Sequence, residues 1–204
     1  MKRLLTLLFA GSLGATTGPE LFFSRSFPGS TPVYFQITLD SSGNAEYGEA
    51  PDDDNPLRFR LGEADAGEVF GLAEKLEYFK RPLESPAKVA FTGMKTFRYE
   101  NAGQKGEVKF NYTEDPSARA LTDWFERMGE TARNRIELER TAKYDKLGVV
   151  NALLQIETAM DRKQLVALEQ YLPTLDRIAA NESYMHTARE RAAKIAATIR
   201  KPKP

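Results

Sequence analysis

The chain has 204 residues, no cysteine and one histidine, His186. Its 29 Lys and Arg balance its 29 Asp and Glu, so it lacks the basic excess of a nucleic-acid binder, while 28% charged and 41% hydrophobic residues describe a globular chain rather than a disordered one. Without Cys there are no disulfides, no thiol nucleophile and no thiolate ligand, and a lone His leaves too few imidazoles for the common zinc sites.

Residues 1–17 read as a signal peptide. Lys2 and Arg3 form a positive head, Leu4 to Ala10 an apolar run broken only by Thr6, and Gly11 to Gly18 a small-residue stretch, which is the order of a secretory leader. The run is far short of the roughly 20 residues that span a bilayer, so the mature chain is expected to have no transmembrane span. Ala10-Gly11-Ser12 and Ala15-Thr16-Thr17 are both possible cleavage regions. The expected location is periplasmic or secreted.

From Glu20 to Tyr112 the pattern is that of strands. Leu21 to Phe27, a turn at Pro28-Gly29-Ser30-Thr31-Pro32, and Val33 to Leu39 come first. Asp40-Ser41-Ser42-Gly43-Asn44 reads as a hairpin loop and Ala45 to Ala50 as the return strand. Asp52-Asp53-Asp54-Asn55-Pro56 breaks the pattern and Leu57 to Leu61 resumes it. Ala64, Val69, Phe70, Ala73 and Leu76 then fall at helical spacing, with Gly67 and Gly71 expected to bring this helix close to a sheet. Lys88 to Thr92 and Lys95 to Tyr99 read as strand with a bend at Gly93. A loop at residues 101–106 leads to the alternating return strand Val108 to Tyr112.

After Pro116 the period becomes helical. Asp115-Pro116 supplies a cap and a first-turn proline. Leu121, Trp124, Phe125, Met128 and Ala132 form a stripe that continues to Ile136 and Leu138. Gly148 marks a break. Val150, Leu153, Leu154 and Met160 predict a second helix, and Leu165 to Ala179 a third interrupted by Pro173. Met185 to Ile199 predict the last. The order predicts an α+β fold, with an antiparallel sheet of two or more hairpins packed by helices and an all-helical C-terminal region. The expected organisation is a leader at 1–17, an α+β domain at 20–128, a helical extension packed on it at 129–200 and a frayed tail at 201–204.

The stretch from Phe22 to about Met128 resembles a group of exported bacterial domains with no assigned activity. It carries Phe23-Ser24-Arg25-Ser26, a Pro-Gly turn followed by Pro32-x-Tyr34, and a hairpin closed by Asp40-x-x-Gly43. Many members of the group have Cys where this chain has Phe27-Pro28 and Thr31. The whole chain is similar to uncharacterised exported proteins of Acidobacteria, through Lys95-Thr96-Phe97-Arg98-Tyr99 and Asp145-Lys146-Leu147-Gly148. The resemblance implies export and supplies no site residues.

Asp52, Asp54 and Glu63 share three spacings with a calcium loop, but Leu57 stands where the turn Gly belongs and Pro56 takes a ligand position. A solvated connection is the expected reading. His186, with Glu182 and Glu190 a turn to either side, could pair a base with an acid, and a surface histidine is the plainer alternative. Arg25 beside the Pro28-Gly29 turn suggests either an anion contact or an outward residue on an edge strand. Nine aromatics (Tyr34, Phe35, Tyr47, Phe59, Phe91, Phe97, Tyr99, Phe110, Tyr112) are expected mostly in the core rather than on a stacking surface. Arg189, Arg191, Lys194, Arg200, Lys201 and Lys203 read as a solvated helix face.

No catalytic, cofactor-binding or metal residue is therefore assigned, and no cofactor is expected. The chain reads as an exported non-catalytic structural or interaction module whose partner is a protein or an envelope component. The alternative is a hydrolase of envelope polymer or glycan that uses only a carboxylate pair, which needs neither His nor Cys.

Overall fold

A computed structural model describes residues 18–201; the leader and the last three residues lie outside the described residues. Six antiparallel strands form one sheet in the order β4-β3-β2-β1-β5-β6. They are β1 (Glu20–Ser26), β2 (Tyr34–Asp40), β3 (Asn44–Gly48), β4 (Leu57–Arg60), β5 (Met94–Asn101) and β6 (Gln104–Phe110). Strand alternation places one residue in two on the same face. The cross-strand row Tyr47, Ile37, Phe23, Phe97 and Val108 is buried from β3 across to β6. The opposite face carries Thr38, Gln36, Ser24, Thr96, Arg98 and Lys109, with the Arg98 guanidinium 4.2 Å over the Phe22 ring.

Local chemistry sets the turns. Asp40 accepts the amides of Ser42 and Asn44 at 2.9 Å each, and Gly43 takes φ +86°, which a side chain would strain. Ala102 and Gly103, at φ 42° and 90°, close the second hairpin in two residues, a tighter turn than the expected loop over 101–106. Lys88 to Thr92 does not form the expected strand. The whole stretch from Pro86 to Thr92 is exposed, and Asn111 holds it through its side chain, accepting from the Thr92 amide at 2.7 Å and donating to the Ala90 carbonyl at 3.2 Å.

Helix α1 (Glu63–Lys75) and the first half of α2 (Pro116–Tyr144) cover the buried face. Gly67 and Gly71 do not bring α1 close to the sheet: a Cβ added at either meets nothing within 4 Å. The close approaches lie elsewhere. A Cβ on Gly129 of α2 would sit 2.9 Å from the Phe35 ring, and one on Gly106 would overlap the Tyr78 carbonyl oxygen. Glu77, Tyr78 and Phe79 all take left-handed φ, between 51° and 66°, a conformation costing roughly 1–2 kcal/mol per residue. Burial offsets it: Phe79 stacks on Phe97 at 5.1 Å and Tyr78 on Tyr99 at 4.3 Å.

Asp115 caps α2 by accepting the Ser117 and Ala118 amides at 2.9 and 3.1 Å, and Arg81 donates to its other oxygen at 2.6 Å. With 29 residues, α2 is about 44 Å long at 1.5 Å per residue, whereas a six-stranded sheet is about 24 Å wide. The overhang carries a second core. Leu138 and Ala142 of α2 pack there with α3 (Val149–Asp161), α4 (Leu172–Ala180) and α5 (His186–Ile199). Pro173 stands in the first turn of α4 rather than interrupting a helix, and Leu165 precedes it in a loop. Ile136 and Leu154, expected on apolar stripes, are exposed.

Thr131 and Ala142 of α2 anchor the segments that follow the helix. Thr131 Oγ1 accepts the Val166 amide at 3.0 Å, the Tyr171 hydroxyl donates to the Thr131 carbonyl at 3.0 Å, and the Tyr184 hydroxyl donates to the Ala142 carbonyl at 2.7 Å. Val166 and Ala167 return to the first core. A boundary near residue 128 thus falls inside a continuous helix shared by both cores.

Candidate functional site

The acids Asp52 and Asp54 are exposed, and β4 runs between them and Glu63 at the start of α1. Asp53 instead accepts the Asn55 amide at 2.9 Å and shapes the loop. Among the described residues no three His, Asp or Glu side chains converge as metal ligands would.

His186 is the first residue of α5, so Glu182 lies outside the helix rather than one turn back along it. The imidazole is 73% exposed and its Nε2 lies 3.2 Å from Glu190. No cleft encloses it.

Arg25 overturns the expectation of an outward edge residue. β1 is central in the sheet, and Arg25 lies on the face that α2 covers, where Nη1 donates to both Glu126 oxygens at 2.9 and 2.7 Å. Its cross-strand neighbours are Phe35 and Lys95. Burial pushes the Lys95 ammonium below the usual lysine range, and nearby Arg25 acts the same way while Glu126 opposes it. Lys95 Nζ donates to the Gly93 and Asn111 carbonyls at 3.0 Å and to Thr92 Oγ1 at 3.3 Å. With three acceptors around three N–H groups, this lysine fastens the loop before β5. The Arg25–Glu126–Lys95 group thus holds α2 and the loop onto the sheet.

Most of the aromatics lie in the core: Phe35, Tyr47, Phe59, Phe97, Tyr99 and Phe110 are buried. The Tyr47 hydroxyl donates to Glu49 at 2.8 Å, and burial raises its pKa strongly. Tyr34 and Tyr112 are half-buried, and Phe91 is exposed. Basic residues of α5 and its C-cap form bridges between helices: Lys194 and Arg191 meet Glu157 of α3 at 2.7 and 3.5 Å, and Arg200, just past the end of α5, meets Asp176 of α4 at 2.6 Å. Lys203 lies outside the described residues.

Two carboxylates line each of four clefts: Glu49 and Asp53, Asp123 and Glu126, Asp65 and Glu169, and Glu157 and Glu190. Glu20 is held above the usual carboxylate range by burial and by Glu100, but it stands at the end of β1 on the face that α2 leaves open.

Sequence reasoning missed a group of exposed apolar side chains at one end of the sheet. β1 ends and β5 begins at the same edge of the sheet, where Ser26 pairs with Met94. Phe27 donates its amide to the Val33 carbonyl at 2.8 Å and faces the Phe91 ring at 6.0 Å. Val33, Phe91, Val89 and Met94 are 54%, 51%, 43% and 40% exposed. The loops at residues 28–33 and 86–93 and the first residue of β5 carry these side chains. The available signal was the strand-like composition of Lys88 to Thr92, which gives apolar side chains to a segment that is not in the sheet.

No helix among the described residues is long and apolar enough to cross a membrane. Neither protein-family models nor curated proteins give a match to this chain.

Proposed function

We propose that the protein is an exported, non-catalytic interaction module that docks a protein or envelope component through the apolar end of its sheet. The carrying observation is the exposure of Val33, Val89, Phe91 and Met94 on the segments at this end of the sheet, where Phe91 faces the Phe27 ring. Apolar side chains gathered at loop tips, with neighbouring backbone already hydrogen-bonded, are a feature of recognition surfaces. The basic head and apolar run of residues 2–10 support export, as does the resemblance to exported bacterial domains.

The test is comparative retention from envelope extract by the mature protein and by a Val33→Ser/Phe91→Ser variant. Both side chains are exposed, so the fold should survive, which circular dichroism checks. A component retained by the former and lost by the latter is the expected result. Equal retention overturns the docking surface. Mass spectrometry of the natively produced protein should find an N-terminus between about Ser12 and Glu20, and an intact Met1 overturns export.

A further inference from the structure

Residues near the C-terminal ends of α2 and α4 and the turn before α5 line a cleft of about 620 Å³, within the range of roughly 300–1,000 Å³ typical of small-molecule sites. Tyr184 is a buried, fixed part of its wall. The Tyr184 hydroxyl donates to the Ala142 carbonyl at 2.7 Å, and the Lys146 ammonium lies 5.6 Å over the ring while donating to Ser183 Oγ at 2.9 Å. Lys143 of α2 and Arg177 of α4 complete a set of three cations. None of the three forms an ion pair among the described residues, and Arg177 makes no hydrogen bond there either.

This charge survives a full count of the neighbouring acids. Glu139, the carboxylate that lines the cleft, is taken by Arg135 at 2.8 Å. Glu137 is taken by Arg140 at 2.8 Å and Asp176 by Arg200 at 2.6 Å. Asp145 accepts the Gly148 amide at 3.0 Å, and neither it nor Glu182 lines the cleft. Lys143 and Arg177 each stand in the last turn of a helix, where the helix end carries about half a negative charge. Two such ends offset about one of the three cations and leave an excess of about two.

We propose that this cleft binds a dianionic phosphate group, free or carried by a small organic molecule. A phosphate monoester bears roughly 1.5 to 2 negative charges at pH 7 and offers three acceptor oxygens, which suits both the excess and the three cationic side chains. Arg177 has its whole fork of donors available for two of those oxygens, and Lys143 and Lys146 act as point charges. Ala142, Pro173 and the Tyr184 ring add an apolar wall for an organic group.

Amide chemical shifts of the full chain report on the cleft at Ala142, Asn181 and Tyr184. The probes, at low ionic strength, are inorganic phosphate, glucose 6-phosphate and the monoanion acetate. Phosphate should shift these amides saturably and bind at least about tenfold more tightly than acetate, the scale of one charge-assisted contact. Arg177→Gln and Lys143→Gln, both at exposed positions, should each weaken phosphate by about tenfold. Lys75→Gln, which removes an exposed cation from α1, should leave it unchanged, and circular dichroism confirms that each variant is folded. Glucose 6-phosphate separates the sources: tighter binding than phosphate assigns the cleft to phosphorylated organic molecules, and equal or weaker binding to free phosphate. No saturable shift, acetate binding as tightly as phosphate, or an Arg177→Gln variant that loses no more affinity than Lys75→Gln would each overturn the proposal.

Discussion

Phe97 is the side chain on which the sheet core turns, and Phe97→Ala is its sharpest test. The ring is fully buried and has ring neighbours from four other segments: Phe79 at 5.1 Å, Phe110 at 5.3 Å, Phe23 at 5.5 Å and Phe125 at 6.1 Å. Deleting it removes about 100 Å³ of side chain, and at about 24 cal/mol per Å³ an unrelaxed cavity costs about 2.4 kcal/mol. Lost transfer of the ring adds about 2 kcal/mol. The site has little freedom to collapse, because its neighbours are rigid rings anchored on a left-handed turn, a helix and two strands. The expected loss is therefore about 4.5 kcal/mol, toward the upper part of the usual range for such substitutions. For a chain of this size that corresponds to a fall in Tm of roughly 9–18 °C. Thermal melts followed by circular dichroism measure it, with Phe91→Ala as the exposed control expected within about 2 °C of the parent. A fall below about 3 °C for Phe97→Ala would show that this ring cluster does not organise the core.

Two further predictions concern the cap and the glycines. Arg81, hydrogen-bonded to Asp115, holds that carboxyl below the usual carboxylate range, with the Ala118 and Ser117 amides assisting against partial burial. Because the folded value is the lower one, the stabilisation is complete above the unfolded value of about 3.9 and is lost as pH falls through the folded value. The Tm difference between the parent and Asp115→Asn, which keeps a capping side chain, should be full near pH 6 and shrink below about pH 4; a difference that persists unchanged into strong acid would refute the charge-based account. Gly67 is exposed in mid-helix with open space around it, so Gly67→Ala should stabilise by about 0.5–1 kcal/mol. Gly106→Ala should destabilise by about 1–3 kcal/mol, since the Tyr78 carbonyl occupies the space its Cβ needs. Denaturant midpoints of the two variants moving in the same direction would contradict this pairing.

Elements governed by near neighbours were legible in the sequence. Alternation in Val33 to Leu39, the Asp40 to Asn44 turn and the Asp115-Pro116 cap each depend on residues within a few positions, and each forms where the pattern puts it. The period change after Pro116 likewise separates the sheet from the helices and fixes the α+β class.

Strand order and the partners of individual side chains were not legible, because they depend on residues far apart in the chain. Arg25 reads as an outward edge residue until β5 joins the other side of β1 and Glu126, 101 positions away, closes over it. Gly67 and Gly71 look like close-approach positions, but the packing places the tight contacts at Gly106 and Gly129. Lys88 to Thr92 has strand composition but is fastened through the Asn111 side chain instead of a backbone ladder, which leaves Val89 and Phe91 in solvent. Composition and periodicity determined the elements, their class and the likeness to a secreted leader. Tertiary structure alone decided which apolar residues stayed outside and where a cleft opened, since burial is a property of the assembled surfaces and not of any one segment.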